Sequence, residues 1–64
     1  MRDYRAINTQ NGQPVSTGTQ VDHYQGRKSG TFEDCGRDWK GDGLVWVNGQ
    51  QYYGWAWGLT VVES

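Results

Sequence analysis

The chain has 64 residues, one Cys and a formal net charge of -1, and each of these numbers excludes a class of protein. A chain this short forms a single domain, residues 1–64, with a small core, and its single Cys cannot form an internal disulfide. The charge removes the general electrostatic case for nucleic-acid binding. No apolar run approaches the roughly 18 residues of a membrane span, and the start MRDYRAINTQ lacks the apolar segment of a secretory signal. We therefore expect a cytoplasmic protein.

Ten glycines interrupt the chain too often for ordinary helices, which favours short strands joined by turns. Asn11-Gly12 and Asn48-Gly49 favour the positive φ angles of type I′ hairpin turns. The segment 55–58 predicts a tight turn or a single helical turn before the last strand. In chain order, the predicted strands are 3–8, 13–15, 19–24, 31–37, 43–48, 50–54 and 59–63.

The predicted fold class is all-β. Strands this short cannot form two packed sheets with adequate cores, so we expect one bent sheet that closes on itself and hides its edges. The prediction is a single small barrel of five to six short antiparallel strands. Its core should consist of Ile7, Val21, Phe32, Val45, Val47, Leu59 and Val61.

From Gly18 to Val62 the order of elements resembles a Src-homology-3-like (SH3-like) barrel: a hydrophobic strand, a Gly-rich loop over 25–30, a strand with Phe32, the Asn48-Gly49 hairpin and a last Leu-x-Val strand. The ending Trp-Gly-Leu-Thr-Val over 57–61, and the opening that runs from Ile7 to Gly18, are similar to those of small uncharacterised bacteriophage-encoded proteins. The resemblance implies a viral protein in the host cytoplasm and brings no activity with it. The Ala-Leu-Tyr-Asp-Tyr and tandem Trp motifs of peptide-binding SH3 domains are absent, which argues against polyproline recognition.

The sequence offers few residues for catalysis. Cys35 and His23 could form a thiolate and base pair if their strands were adjacent, but a packed thiol and an exposed His are the simpler interpretation. A metal site would need the carboxylates near His23 and Cys35 to converge, although neighbouring strand residues point to opposite faces. We expect no enzyme, no metal and no cofactor. The residues considered for the metal site are Asp22, His23, Glu33 and Asp34.

Four Trp and four Tyr residues are more than so small an interior can bury. Strand alternation turns Trp46 outward if its two Val neighbours face inward, whereas Trp57 is expected in the core. We predict a patch of exposed rings with basic residues at its rim, used to bind a host or phage protein. The predicted protein-binding residues are Trp39, Trp46, Tyr52, Trp55, Arg37 and Lys40.

Two alternatives remain open at this point. Small barrels also bind single-stranded nucleic acid by stacking bases on aromatic rings beside cations. The residues for that alternative are Tyr24, Arg27, Lys28, Arg37 and Trp39. An exposed strand edge could instead make the protein a homo-oligomer or a structural subunit of a phage particle.

Overall fold

The computed structural model describes residues 4–26 and 28–64, and these residues form short strands and one 3₁₀ helix. The predicted all-β class is confirmed, and the predicted strand boundaries lie within two residues of the observed ones. The predicted start of the first strand, at residue 3, and Arg27 lie outside the described residues. The elements are β1 Tyr4–Asn8, β2 Pro14–Val15, β3 Gln20–Asp22, β4 Ser29–Arg37, β5 Gly43–Val47, β6 Gln50–Tyr53, the 3₁₀ helix Gly54–Trp57 and β7 Leu59–Glu63.

Within the described ranges, no helix is long and apolar enough to cross a membrane.

The strands form two antiparallel sheets, with orders β2-β1-β7 and β3-β4-β5-β6. The prediction of one closed sheet with five to six strands is therefore not confirmed, because no ladder between described residues joins the two sheets. The 3₁₀ helix lies at the junction and is bonded to two turns instead. Tyr24 N donates to Ala56 O at 2.8 Å, and Thr9 N donates to Gly58 O at 2.9 Å.

The β5–β6 hairpin has the register that its turn dictates. Asn48 and Gly49 have φ angles of 52° and 78°, as a type I′ turn requires, so Val47 pairs with Gln50 and Val45 pairs with Tyr52. At Asn11-Gly12, by contrast, only Gly12 has a positive φ angle, and Gly12 N donates to Asn8 O. That connection is a longer loop, so the type I′ prediction is wrong there.

Strand β4 changes partner along its length. Its first residues pair with β3, its last residues pair with β5, and a bulge at Glu33 separates Phe32 from Asp34 in the ladder. Glu33 is the extra residue of this bulge. Its carboxylate accepts a bond from Gly49 N at 2.9 Å, and its carbonyl accepts one from Thr17 Oγ1 at 2.8 Å. The bulge thus holds the hairpin turn on one side and the loop before β3 on the other.

Six of the seven predicted core residues are buried, and Ile7 is the exception. Ala6 lies opposite buried Val61 and faces inward, so alternation places Ile7 on the other face, where it is half-buried. Trp57, only 3% exposed, is in the core as predicted. The buried residues are Ala6, Val21, Phe32, Val45, Val47, Ala56, Trp57, Leu59 and Val61.

Candidate functional site

Three exposed aromatic rings lie together beside the 3₁₀ helix. Trp55 is 65% exposed, Tyr24 is 59% exposed and Tyr53 is 47% exposed. The Trp55 ring centroid lies 5.5 Å from that of Tyr24 and 6.5 Å from that of Tyr53, with which it is nearly parallel at 12°. We call Tyr24, Tyr53 and Trp55 the aromatic surface.

The 3₁₀ helix sets the position of Trp55. Its neighbours on the helix, Gly54, Ala56 and Trp57, are buried, which leaves Trp55 on the outside. Gly54 has no room for a side chain, because a Cβ there would lie 3.0 Å from the carbonyl oxygen of Leu59. The helix ends at Gly58, whose φ of 66° is the left-handed conformation that favours glycine. Close packing beneath the helix therefore forces the indole of Trp55 outward.

A backbone hydrogen bond between distant parts of the chain holds Tyr24 beside Trp55. The Tyr24 N–H donates to Ala56 O at 2.8 Å, and its hydroxyl accepts a bond from Gln25 Nε2 at 3.3 Å. The His23 ring packs at 4.6 Å from Tyr24 and edge-on at 5.2 Å from Trp57. His23 was expected to be exposed, but it is half-buried and connects the aromatic surface to the core.

Strand register separates two of the predicted site residues. Trp46 faces outward and is half-buried, as predicted, and lies opposite Gln51. Tyr52 lies opposite buried Val45, packs against the core and meets Trp57 edge-on at 5.3 Å. The prediction that Tyr52 shares a face with Trp46 is therefore wrong. Tyr53, which was not among the predicted site residues, lies opposite Leu44 on the outer face.

Trp39 and Lys40 form a separate feature at the turn between β4 and β5. Trp39 is 91% exposed, and the Lys40 ammonium lies 5.5 Å from its ring centroid. The turn is held by Asp38, whose Oδ1 accepts bonds from the backbone N–H groups of Lys40 and Asp42. No ring contact between Trp39 and another described aromatic residue is present. Trp39 is thus exposed, as predicted, but makes no contact with the aromatic surface.

Arg37 stabilises the fold at the end of β7. Its Nη2 donates to Val61 O at 3.1 Å, its Nη1 lies 3.9 Å from Glu63 Oε1, and its guanidinium lies 5.3 Å from the Tyr4 ring centroid. The guanidinium of Arg37 is therefore engaged within the fold, whereas both the protein-binding and the nucleic-acid predictions expected it to contact a ligand. Of the other cations in the nucleic-acid prediction, Lys28 is exposed and Arg27 lies outside the described residues.

The structure gives no support to a catalytic pair of the Cys35 thiolate and the His23 base. Cys35 lies opposite Val45 in the β4–β5 ladder, whereas His23 follows β3 and contacts Tyr24 and Trp57. Over residues 4–26 and 28–64, no group of three His, Cys, Asp or Glu side chains could hold a metal ion. Asp22, Glu33 and Asp34, the carboxylates considered for such a site, do not converge on His23.

A polar groove adjoins the aromatic surface. It has a volume of about 510 Å³ and runs between the β1–β2 turn, strand β3 and the 3₁₀ helix. Four aromatic rings line one part of it, those of His23, Tyr24, Trp55 and Trp57. The polar side chains in its lining are Asn8, Thr9, Gln10, Gln20 and Asp22. The aromatic surface and this groove adjoin each other and together offer exposed rings and hydrogen-bonding groups to a ligand.

No protein-family model, curated protein or solved structure matches the chain at a significant level.

Proposed function

We propose that this protein is a non-enzymatic binding module that contacts a partner protein through the aromatic surface of Tyr24, Tyr53 and Trp55. The observation that carries the proposal is the contact between three large rings, each close to half exposed or more. Trp and Tyr are enriched among the residues that dominate binding energy at protein interfaces. Exposed apolar patches on small proteins commonly mark such interfaces.

The positions of the rings favour binding, because the contacts of Tyr24 and Tyr53 with Trp55 restrict these side chains before a partner binds. Trp55 lies between Tyr24 and Tyr53, and the backbone bond from Tyr24 N to Ala56 O ties two of the three rings to the same helix. A preorganised surface loses less entropy when a partner binds. Tyr and Trp also provide large contact areas with only two side-chain torsions each.

The resemblance of the sequence to small phage-encoded proteins with SH3-like barrels gives the proposal a setting. Under it, the partner is a host or phage protein that is met in the host cytoplasm. Arg37 and Lys40 are not part of the proposed contact, because Arg37 is bonded to β7 and Lys40 lies over Trp39.

The experiment is a capture from host lysate with the native protein and two Trp variants, followed by calorimetry with the purified partner. Trp55→Ala removes the central ring, whereas Trp39→Ala removes an even more exposed indole that makes no contact with the aromatic surface. We expect Trp55→Ala to weaken binding by about 2 kcal/mol, or about 30-fold. Trp39→Ala should leave the affinity within about threefold of native.

Three outcomes would contradict the proposal. The first is equal affinity of native protein and the Trp55→Ala variant for every captured protein. The second is capture that disappears after nuclease treatment and falls steeply with salt, which would indicate nucleic acid. The third applies if the Trp55→Ala variant unfolds, as seen by circular dichroism: native affinity of the Tyr53→Ala variant would then contradict the proposal. In that case Tyr53→Ala, an exposed position at the end of β6, repeats the affinity test.

A further inference from the structure

The polar groove is held open by bonds on both of its sides. On one side, Thr9 donates to Gly58 O from its N–H at 2.9 Å and from its hydroxyl at 3.0 Å. On the other side, Tyr24 N donates to Ala56 O at 2.8 Å. Both sides are therefore tied to the 3₁₀ helix, which forms the floor with buried Trp57. The volume of about 510 Å³ is within the range of small-molecule sites.

Several polar groups of the groove have no hydrogen-bond partner within the described chain. The side chains of Gln10, Gln20 and Asp22 line the groove and make no hydrogen bond to another described residue. Trp57 also lines it, and its indole N–H is buried without a partner. Buried donors are nearly always bonded in folded proteins, so the unpartnered indole N–H of a lining residue is unusual.

The lining also defines the charge and shape of the ligand. Two glutamine amides and Asn8 can both donate and accept, Asp22 accepts, and the His23 imidazole adds a further polar group. No Lys or Arg lines the groove within residues 4–26 and 28–64, and the lining around Asp22 consists of amides, a hydroxyl, aromatic rings and the His23 imidazole, which favours an uncharged ligand. The wall presents the tilted rings of Tyr24 and Trp55, against which the apolar face of a ligand ring can pack.

We propose that the polar groove binds a neutral oligosaccharide. A sugar ring has one apolar face of C–H groups, which would pack on Trp55, and a rim of hydroxyls that both donate and accept, which would match Gln20 and Asp22. This inference goes beyond the proposed protein-binding function. The two sites share the wall of Tyr24 and Trp55, but Tyr53 does not line the groove and Gln20 is not part of the aromatic surface.

The experiment is a titration of the native protein with three neutral hexasaccharides: β1-4-linked glucose, α1-4-linked glucose and β1-4-linked N-acetylglucosamine. Binding is followed by Trp fluorescence and confirmed by calorimetry. We expect at least one of them to bind with a Kd of about 1 mM or tighter, with a change in the total Trp emission that is lost in the Trp55→Ala variant.

Paired glutamine variants locate the binding. Gln20→Ala removes an amide of the groove, and Asp22→Asn removes its carboxylate, while Gln51→Ala removes an exposed amide on β6 that does not line it. Gln20→Ala and Asp22→Asn should each weaken saccharide binding by about three- to tenfold, the scale of a lost hydrogen bond at an exposed position. Gln51→Ala should leave it unchanged. Thermal melting confirms that all three variants are folded.

The results separate this inference from the proposed function. If none of the three saccharides binds, or if Gln20→Ala and Asp22→Asn bind as tightly as native protein, the saccharide inference is wrong. Binding of a neutral glycine-serine hexapeptide but of no saccharide would assign the groove to peptides and would also overturn it. Weaker binding of a partner protein to Tyr53→Ala would still support the protein-binding proposal in either case.

Discussion

The β5–β6 hairpin and the segment from Thr9 to Gly26 differ in what determines their conformation. The hairpin is specified locally, since its Asn48-Gly49 turn adopts the required φ angles and each residue of β6 pairs with β5. The segment from Thr9 to Gly26 contains only two short strands. It is held by bonds to distant backbone, such as Thr9 N to Gly58 O and Gly18 N to Phe32 O at 2.8 Å. Tyr24 and most of the polar groove belong to this second segment, so the ligand-binding features depend on contacts that form across the fold.

The strongest disruption of the hairpin should come from Val47→Asp. Val47 is fully buried, and an unpaired carboxylate in its place has no partner to offset its desolvation. We expect a loss of stability that exceeds what a 64-residue domain can tolerate, so that the variant is unfolded at 25 °C by circular dichroism. Gln51→Asp, on the exposed neighbouring strand, is the control and should remain folded. A native melting curve for Val47→Asp would contradict the inward orientation of this residue.

Gly30→Ala tests the point where the two regions meet. A Cβ at Gly30 would lie 2.5 Å from Val47 Cγ1 and 2.9 Å from Asn48 Nδ2, so the end of the hairpin must move. We expect the free energy of unfolding to fall by about 1–3 kcal/mol, measured by urea denaturation. Gly36→Ala on the same strand is the matched control, because its nearest neighbour, a Trp46 ring carbon, would be at an ordinary 3.8 Å. Equal effects of the two substitutions would show that the close approach at Gly30 does not matter.

Substitutions at Asn48 separate the turn conformation from its side-chain bond. Asn48 has a φ of 52°, and its Oδ1 accepts a bond from Thr31 N at 2.9 Å. Asn48→Ala loses the bond and strains the backbone, so we expect a loss of about 1–2 kcal/mol by chemical denaturation. Asn48→Gly keeps the positive φ and should lose less. If Gly were as costly as Ala, the side-chain bond alone would account for the role of Asn48.

The smallest effect is expected at the edge of the groove. Thr9→Val removes the hydroxyl bond to Gly58 O and keeps the backbone bond, so the global loss should be about 0.5 kcal/mol. Amide hydrogen exchange should nevertheless quicken at Thr9, while the amides of the β5–β6 hairpin stay protected. Thr60→Val, at an exposed position of β7, is the control and should change neither. Uniform quickening across the hairpin would mean that the two regions open together.

The locally specified part of the fold could be predicted from the sequence. Alternation around Asn48-Gly49 placed Val45 and Val47 inside and Trp46 outside, as the structure confirms. Tyr52 was assigned to the wrong face although the signal was present, because a two-residue turn pairs Val47 with Gln50 and therefore Val45 with Tyr52. The prediction that Ile7 belongs to the core was wrong for another reason. Which face of β1 is inside depends on its pairing with β7, and the smaller Ala6 fits the interior.

The candidate sites were less predictable because they are assembled from distant segments. The exposure of Trp55 followed from the excess of large rings, but its contact with Tyr24 depends on a bond to Ala56 that no local pattern indicates. In the same way, Arg37 is a residue type that often binds ligands. Only the fold shows that its guanidinium is hydrogen-bonded to Val61 O and paired with Glu63. Strand periodicity therefore could not predict the positions of side chains that are fixed by hydrogen bonds between distant segments.

The antiparallel pairing of β1 with β7 brings the two ends of the fold side by side. Tyr4 is directly opposite Glu63, so their Cα atoms are about 4.5–5.5 Å apart. A short flexible linker can bridge that gap without distorting either strand, and such geometry is what tolerates circular permutation. The segment from Tyr4 to Glu63 could then be reopened at the exposed turn around Gly41, or inserted into a surface loop of another protein. In such a fusion, the aromatic surface and the polar groove would be displayed on a carrier through two closely spaced attachment points.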